Sequence, residues 1–158
     1  MDIKYLKQLN NYPTVKRGNT DYISTLRPLT MQEITKLEIA YNNGAAFPGV
    51  LRELLYLAGN YCHVLDYGLS DSQEEMQQDA RSWLANDNQI INRPFFVIDI
   101  YNGGDQFLFV YLDEEDDPIV HEAILYNVTP AWIHSLNKKL SEFISSRLTR
   151  FLSGQNPF

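Results

Sequence analysis

The 158-residue chain is long enough to bury a core of its own without covalent staples. Its 44% hydrophobic and 13% aromatic content excludes a disordered chain, and the single Cys62 excludes an internal disulfide framework. A formal charge of -7 and a pI near 4.8 repel phosphate backbones and anionic lipid, so no direct nucleic-acid or membrane binding is expected, while a basic protein partner is compatible.

Met1–Asn10 alternates charged and apolar residues instead of forming an apolar leader, and no run of eighteen apolar residues occurs. A cytoplasmic protein is therefore expected. With no repeat, low-complexity tract or linker, the pattern predicts one domain over 1–158, its core over about 29–148. Residues 1–28 are the least regular part. A short helix near Asp2–Leu9 is expected there, followed by an irregular stretch carrying Pro13, Gly18 and Pro28.

Regular order begins at Thr30, which forms capping-box spacing with Glu33. Behind it Ile34, Leu37 and Tyr41 share one helical face, and Asn42-Asn43-Gly44 ends the helix with residues that tolerate left-handed geometry. Phe47-Pro48 opens a second helix, proline near its first position, with Val50, Leu51, Leu54, Leu55 and Leu57 making it apolar nearly all round. Gly59-Asn60 closes it, and Tyr61–Tyr67 reads as a short strand. Ser72 and Glu75 repeat the capping spacing for a third helix to Asn86, striped by Met76, Ala80, Trp83 and Leu84.

Three strands are expected next: Phe95–Tyr101, Gln106–Leu112 and Ile119–Tyr126. The first two are apolar at nearly every position, which predicts a sheet covered on both faces. Thr129-Pro130 has the composition of a helix start, with Ile133, Leu136, Leu140, Phe143 or Ile144, and Leu148 as the buried face. Helices, adjacent strands and a closing helix describe an α+β fold: a central, mainly antiparallel sheet of about four or more strands, packed with N-terminal helices and a long C-terminal helix.

The chemistry-bearing candidates are few. Asp113–Asp117 is five consecutive acids, but DEEDDP lacks the turn glycine and alternating ligands of a calcium loop, so a solvated hairpin turn is the expectation and no metal is assigned. His121-Glu122 begins like a zincin motif, yet position 125 is leucine and adjacent strand residues face opposite ways. Cys62-His63 diverge for the same reason. His134 has no ligand spacing around it, Gly103-Gly104 reads as a turn, and no nucleophile elbow, P-loop or dinucleotide fingerprint is present. No cofactor is expected.

The order of the pieces resembles the SUKH superfamily, which includes fungal cell-wall assembly regulators and bacterial immunity proteins of polymorphic toxin systems. Leu29-Thr30, with Glu33 and Ile34 behind it, Leu37-Glu38 and Phe47-Pro48 occupy the places of its opening helices. Gly104-Asp105, FLFVYLD ending at Asp113, and Ile119-Val120-His121 follow in order, so the resemblance covers roughly 29–148. It implies a non-catalytic protein-binding domain, and for bacterial members an immunity protein that blocks a toxin domain, often a nuclease. The Gly-Asp pair is expected to be structural, its carboxylate bonding nearby amides.

The candidate contacts for a basic toxin are Asp113, Glu114, Glu115 and Asp116, joined by Glu74, Glu75 and Asp79. A regulatory or scaffold module with another cellular partner is the alternative. A small enzyme is a third reading, which requires Asp105, His121 and Asp113 to meet in one pocket.

Overall fold

Side-chain caps start two of the helices. In a computed structural model, which describes residues 1–126 and 131–158, Thr30 and Glu33 form the expected capping box at the head of α2 (Met31–Tyr41). The Glu33 carboxylate takes the Thr30 amide at 2.7 Å, and these bonds to Thr30 hold it below the usual carboxylate range. Asn43 and Gly44, at φ 51° and 80°, end the helix. Helix α3 (Gly49–Ala58) starts one residue later than expected, with Pro48 as its cap.

Ser72 caps α4 (Gln73–Asn86), but the box is incomplete. The Glu75 carboxylate passes the Ser72 amide and takes that of Asp71 instead, at 2.6 Å.

Strands β3 (Phe95–Tyr101), β4 (Gln106–Tyr111), β5 (Ile119–Ile124) and β6 (Ile133–Lys139) form an antiparallel meander in that order. Phe96, Ile98, Leu108, Val110 and Val120 pack with α2, α3 and α5 (Leu140–Leu152) on one face. Phe95, Val97, Phe107, Phe109 and Ala123 pack with Met76, Ala80 and Leu84 of α4 on the other. Each fully buried large apolar side chain stabilises the fold by about 1.5–3 kcal/mol, so both faces hold the sheet. The outer edge of β3 is closed by α4: the Gln77 amide exchanges two 2.8 Å bonds with Val97, and Arg81 donates to the Phe95 carbonyl.

Four expectations need correction. The N-terminal helix is not Asp2–Leu9 but α1 (Lys7–Asn11), because the amides of Lys4, Tyr5 and Leu6 are drawn to the buried Glu53 carboxylate at 2.7, 3.0 and 2.8 Å. The irregular stretch after it contains a hairpin, β1 (Thr14–Lys16) paired with β2 (Ile23–Thr25).

Tyr61–Tyr67 is not a strand; only a bridge from Tyr61 to Arg27 forms. Side chains replace the ladder there, as Asp99 takes the Asp66 amide at 2.6 Å and Arg147 donates to the Val64 carbonyl at 2.9 Å.

The helix expected through 133–139 is strand β6, which fills the open side of β5, and helix begins only at Leu140. Asn137 at φ 52° and the extended Lys139 break any continuous helix. Thr129-Pro130 lies outside the described residues.

Candidate interaction surface

The acidic turn between β4 and β5 is more bound than its composition suggests. Asp113 grips Arg93, with Nε at 3.1 Å from both carboxylate oxygens and Nη2 at 2.6 Å, and this guanidinium lowers its pKa. Glu114 takes the Ile119 amide at 3.1 Å and Arg93 Nη2 at 3.3 Å.

Asp116 receives the Gly49 amide at 3.3 Å on its carboxylate and the Val50 amide at 2.9 Å on its carbonyl, at the head of α3. Asp117 takes the Ser141 amide and hydroxyl at the head of α5. Two helix N-termini thus supply partial positive charge to the turn. Asp113, Glu115 and Asp116 are exposed, as a solvated turn requires, but hydrogen bonds within the chain engage Asp113, Glu114, Asp116 and Asp117, and Glu115, 86% exposed, lies 3.7 Å from Lys139.

The residues required for a small catalytic site do not converge. His121 stacks on Phe109, centroids 5.5 Å apart, and meets the Tyr111 edge, while burial lowers its pKa against the pull of Glu114. Glu122 turns the other way, to the Gln106 amide at 2.5 Å. Asp105 lies beyond the opposite end of β4 from Asp113, so the strand's length separates them, roughly 20 Å. Among the described residues, no group of three His, Cys, Asp or Glu side chains is placed to hold a metal ion.

Sequence reasoning missed two buried polar networks. Asp99 sits in the apolar run FFVIDIY, the one linear signal for the first of them. It receives the Asp66 amide, the Tyr101 hydroxyl at 2.6 Å and the Arg147 guanidinium, which also meets the Tyr101 hydroxyl. Burial raises the Asp99 carboxyl to about 7, opposed chiefly by Arg147.

In the second network Ser24 Oγ lies 2.6 Å from His63 Nδ1, and His63 Nε2 donates to the Tyr12 carbonyl at 3.0 Å. Both side chains are buried, and burial holds His63 below its ordinary value. The pair clasps the β1–β2 hairpin to the 61–65 segment. Cys62 is buried beside it, and that burial pushes its thiol up to about 12, which disfavours the thiolate.

The acids beside α4 are in a different state from those of the turn. Six acids and no lysine or arginine lie between residues 53 and 80. Glu53 is buried, but Asp66, Asp71, Glu74, Glu75 and Asp79 form no ion pair among the described residues. Their bonds come from neutral donors: Gly68 to Asp66, Ser70 to Asp79 and Gln78 to Glu74.

The residues that carry the motif resemblance have structural positions. Leu37 is buried, and Glu38 joins α2 to α3 through the Phe47 amide at 3.0 Å and Arg52 at 2.9 Å. Gly104, at φ 105°, lies against the Trp83 ring, where a Cβ would come within 2.6 Å. Asp105 differs from expectation: among the described residues its tie is the carbonyl, which takes the Leu125 amide at 2.8 Å. No family matches the chain, and no curated protein or solved structure matches it either.

Proposed function

We propose that this chain is a non-catalytic protein-binding domain of the SUKH type, an immunity protein that occludes a basic toxin domain. The observation that carries the reading is the charge of Asp66, Asp71, Glu74, Glu75 and Asp79, which form no ion pair with a lysine or arginine among the described residues. Such a field accelerates encounter with a basic surface about 10- to 1,000-fold and disfavours nucleic acid itself. The motif set supports the same reading, because Thr30, Glu33, Glu38, Pro48 and Gly104 occupy caps, a helix junction and a close approach rather than a reacting cluster. Occlusion needs slow dissociation and no chemistry.

Glu74, Glu75 and Asp79, with Glu115 of the turn, are the contact acids in this reading. Asp113, Glu114 and Asp116 are engaged within the chain and serve as secondary contributors to the field. The test is co-expression with a toxin domain, sought first in the gene that neighbours this one. Growth rescue, co-purification and an association rate that falls at least about tenfold with added salt are expected. Undiminished toxicity with both proteins soluble sinks the immunity reading.

A further inference from the structure

Between the 66–71 loop, α4 and the end of β3 runs a groove of about 370 Å³. Leu69, Trp83, Ile100 and Tyr101 line it, with the carboxylates of Asp66 and Asp79 among them. Leu69 is fully exposed, where a large apolar side chain gains nothing from water. Two arginines of the neighbouring elements are already engaged within the chain. Arg147 is buried against Asp99, and Arg81 donates to Gln77 and Phe95 while lying over the Tyr41 and Phe95 rings. Asp66 and Asp79 each carry one bond from a neutral neighbour and keep acceptor capacity.

We infer that this groove receives an arginine side chain of the protein partner, with an adjacent apolar residue of the partner covering Leu69. This rests on the protein-binding reading and supplies its contact point. The groove offers the two things a guanidinium uses together, aromatic surface from Trp83 and carboxylates from Asp66 and Asp79, while the Tyr101 ring already carries the chain's own Arg147 at 5.6 Å. A lysine shares the charge but not the planar stacking.

A neighbouring groove of about 470 Å³, lined by Tyr22, Tyr61, His63 and Phe151, shares Asp66 as a wall. The Tyr101 ring meets Phe158 of that second groove at 6.4 Å. A partner anchored at Leu69 therefore has a tyrosine-rich surface to extend over, the composition found in interface centres.

The test uses the full chain, ¹⁵N-labelled, titrated with an acetylated, amidated hexapeptide alternating arginine and leucine. The same peptide with citrulline for arginine is the neutral control. Amide shifts confined to residues 66–71, 79–83 and 100–104 are expected, with affinity at least about tenfold weaker for citrulline and for Asp66→Asn/Asp79→Asn. Leu69→Ala weakens binding without disturbing the rest of the spectrum, and Glu142→Gln, an exposed acid on α5, leaves it unchanged. Shifts centred on 113–117, or equal binding of the citrulline peptide, overturn the groove. The toxin reading is separable: rescue that survives Leu69→Ala and Asp66→Asn/Asp79→Asn overturns the groove and leaves the immunity function standing.

Discussion

Asp117 accepts both the amide and the hydroxyl of Ser141, at 3.0 and 2.6 Å, and so caps α5 from a loop 24 residues earlier in the chain. A side-chain acceptor at a helix head contributes about 1–2 kcal/mol, and the negative charge there also meets the helix dipole. Asp117→Ala is expected to lower unfolding free energy by about 1–2 kcal/mol in denaturant titration. Glu115→Ala, in the same turn but 86% exposed, is expected to change it by less than about 0.5 kcal/mol. Equal effects of the two substitutions would show that the turn's acids act as a diffuse charge and not as specific caps.

Glu53 organises the N-terminal segment in the same manner. Its buried carboxylate takes three successive amides, from Lys4, Tyr5 and Leu6. Glu53→Gln keeps the shape but turns an N–H₂ group toward amide donors, at a cost of about 2–3 kcal/mol. Hydrogen exchange should quicken most at residues 4–6 and through α1. A uniform change across all helices would place the effect in the core rather than in this anchor.

The strands β3 to β5 and the Thr30–Glu33 cap were legible because local signals decided them: continuous apolar runs, turn residues and a four-residue spacing. Tyr61–Tyr67 was misread because its backbone is satisfied by Asp99 and by Arg147, the latter 83 residues from Val64, and no local pattern encodes such partners. Ile133–Lys139 was misread because Ile133, Leu136 and Leu140 also fit a helical face, while the demand of β5 for a neighbour is a tertiary fact. The turn acids looked free for a similar reason. Asp116 meets Gly49 at a separation of 67 residues, and five acids in a row carry no hint of the helix heads they face.

The Asp99–Arg147 pair is the buried charge on which the 64–66 segment hangs. Removing one member leaves the other unpaired in a low-dielectric site, so Arg147→Met is expected to cost about 3–5 kcal/mol. Asp99→Asn retains an acceptor for the Asp66 amide but loses the charge. The double substitution Asp99→Asn/Arg147→Met should cost less than the sum of the two by about 1–3 kcal/mol, measured as a double-mutant cycle in denaturant. Strict additivity would mean that Arg147 acts only through Val64 and its packing on Phe143.

Two histidines give the stability a pH dependence of definite sign. His63 and His121 are both held below the ordinary imidazole value of 6.5, burial being the first cause in each. The unfolded chain therefore takes up the proton more readily than the folded one. Their contribution is complete above 6.5 and is lost as pH falls from there through the lower folded values. For His63 the reason is visible: Nε2 must donate to Tyr12 while Nδ1 faces Ser24 at 2.6 Å, an arrangement suited to the neutral ring. Asp99 adds a slope of opposite sign between 3.8 and about 7, since its folded form binds the proton more tightly. The histidine part is accordingly read as a difference. His63→Gln, which can still donate to Tyr12, is expected to flatten the fall in stability between pH 6.5 and 5 relative to wild type. Parallel stability curves for the two proteins across that window would remove His63 from the titration.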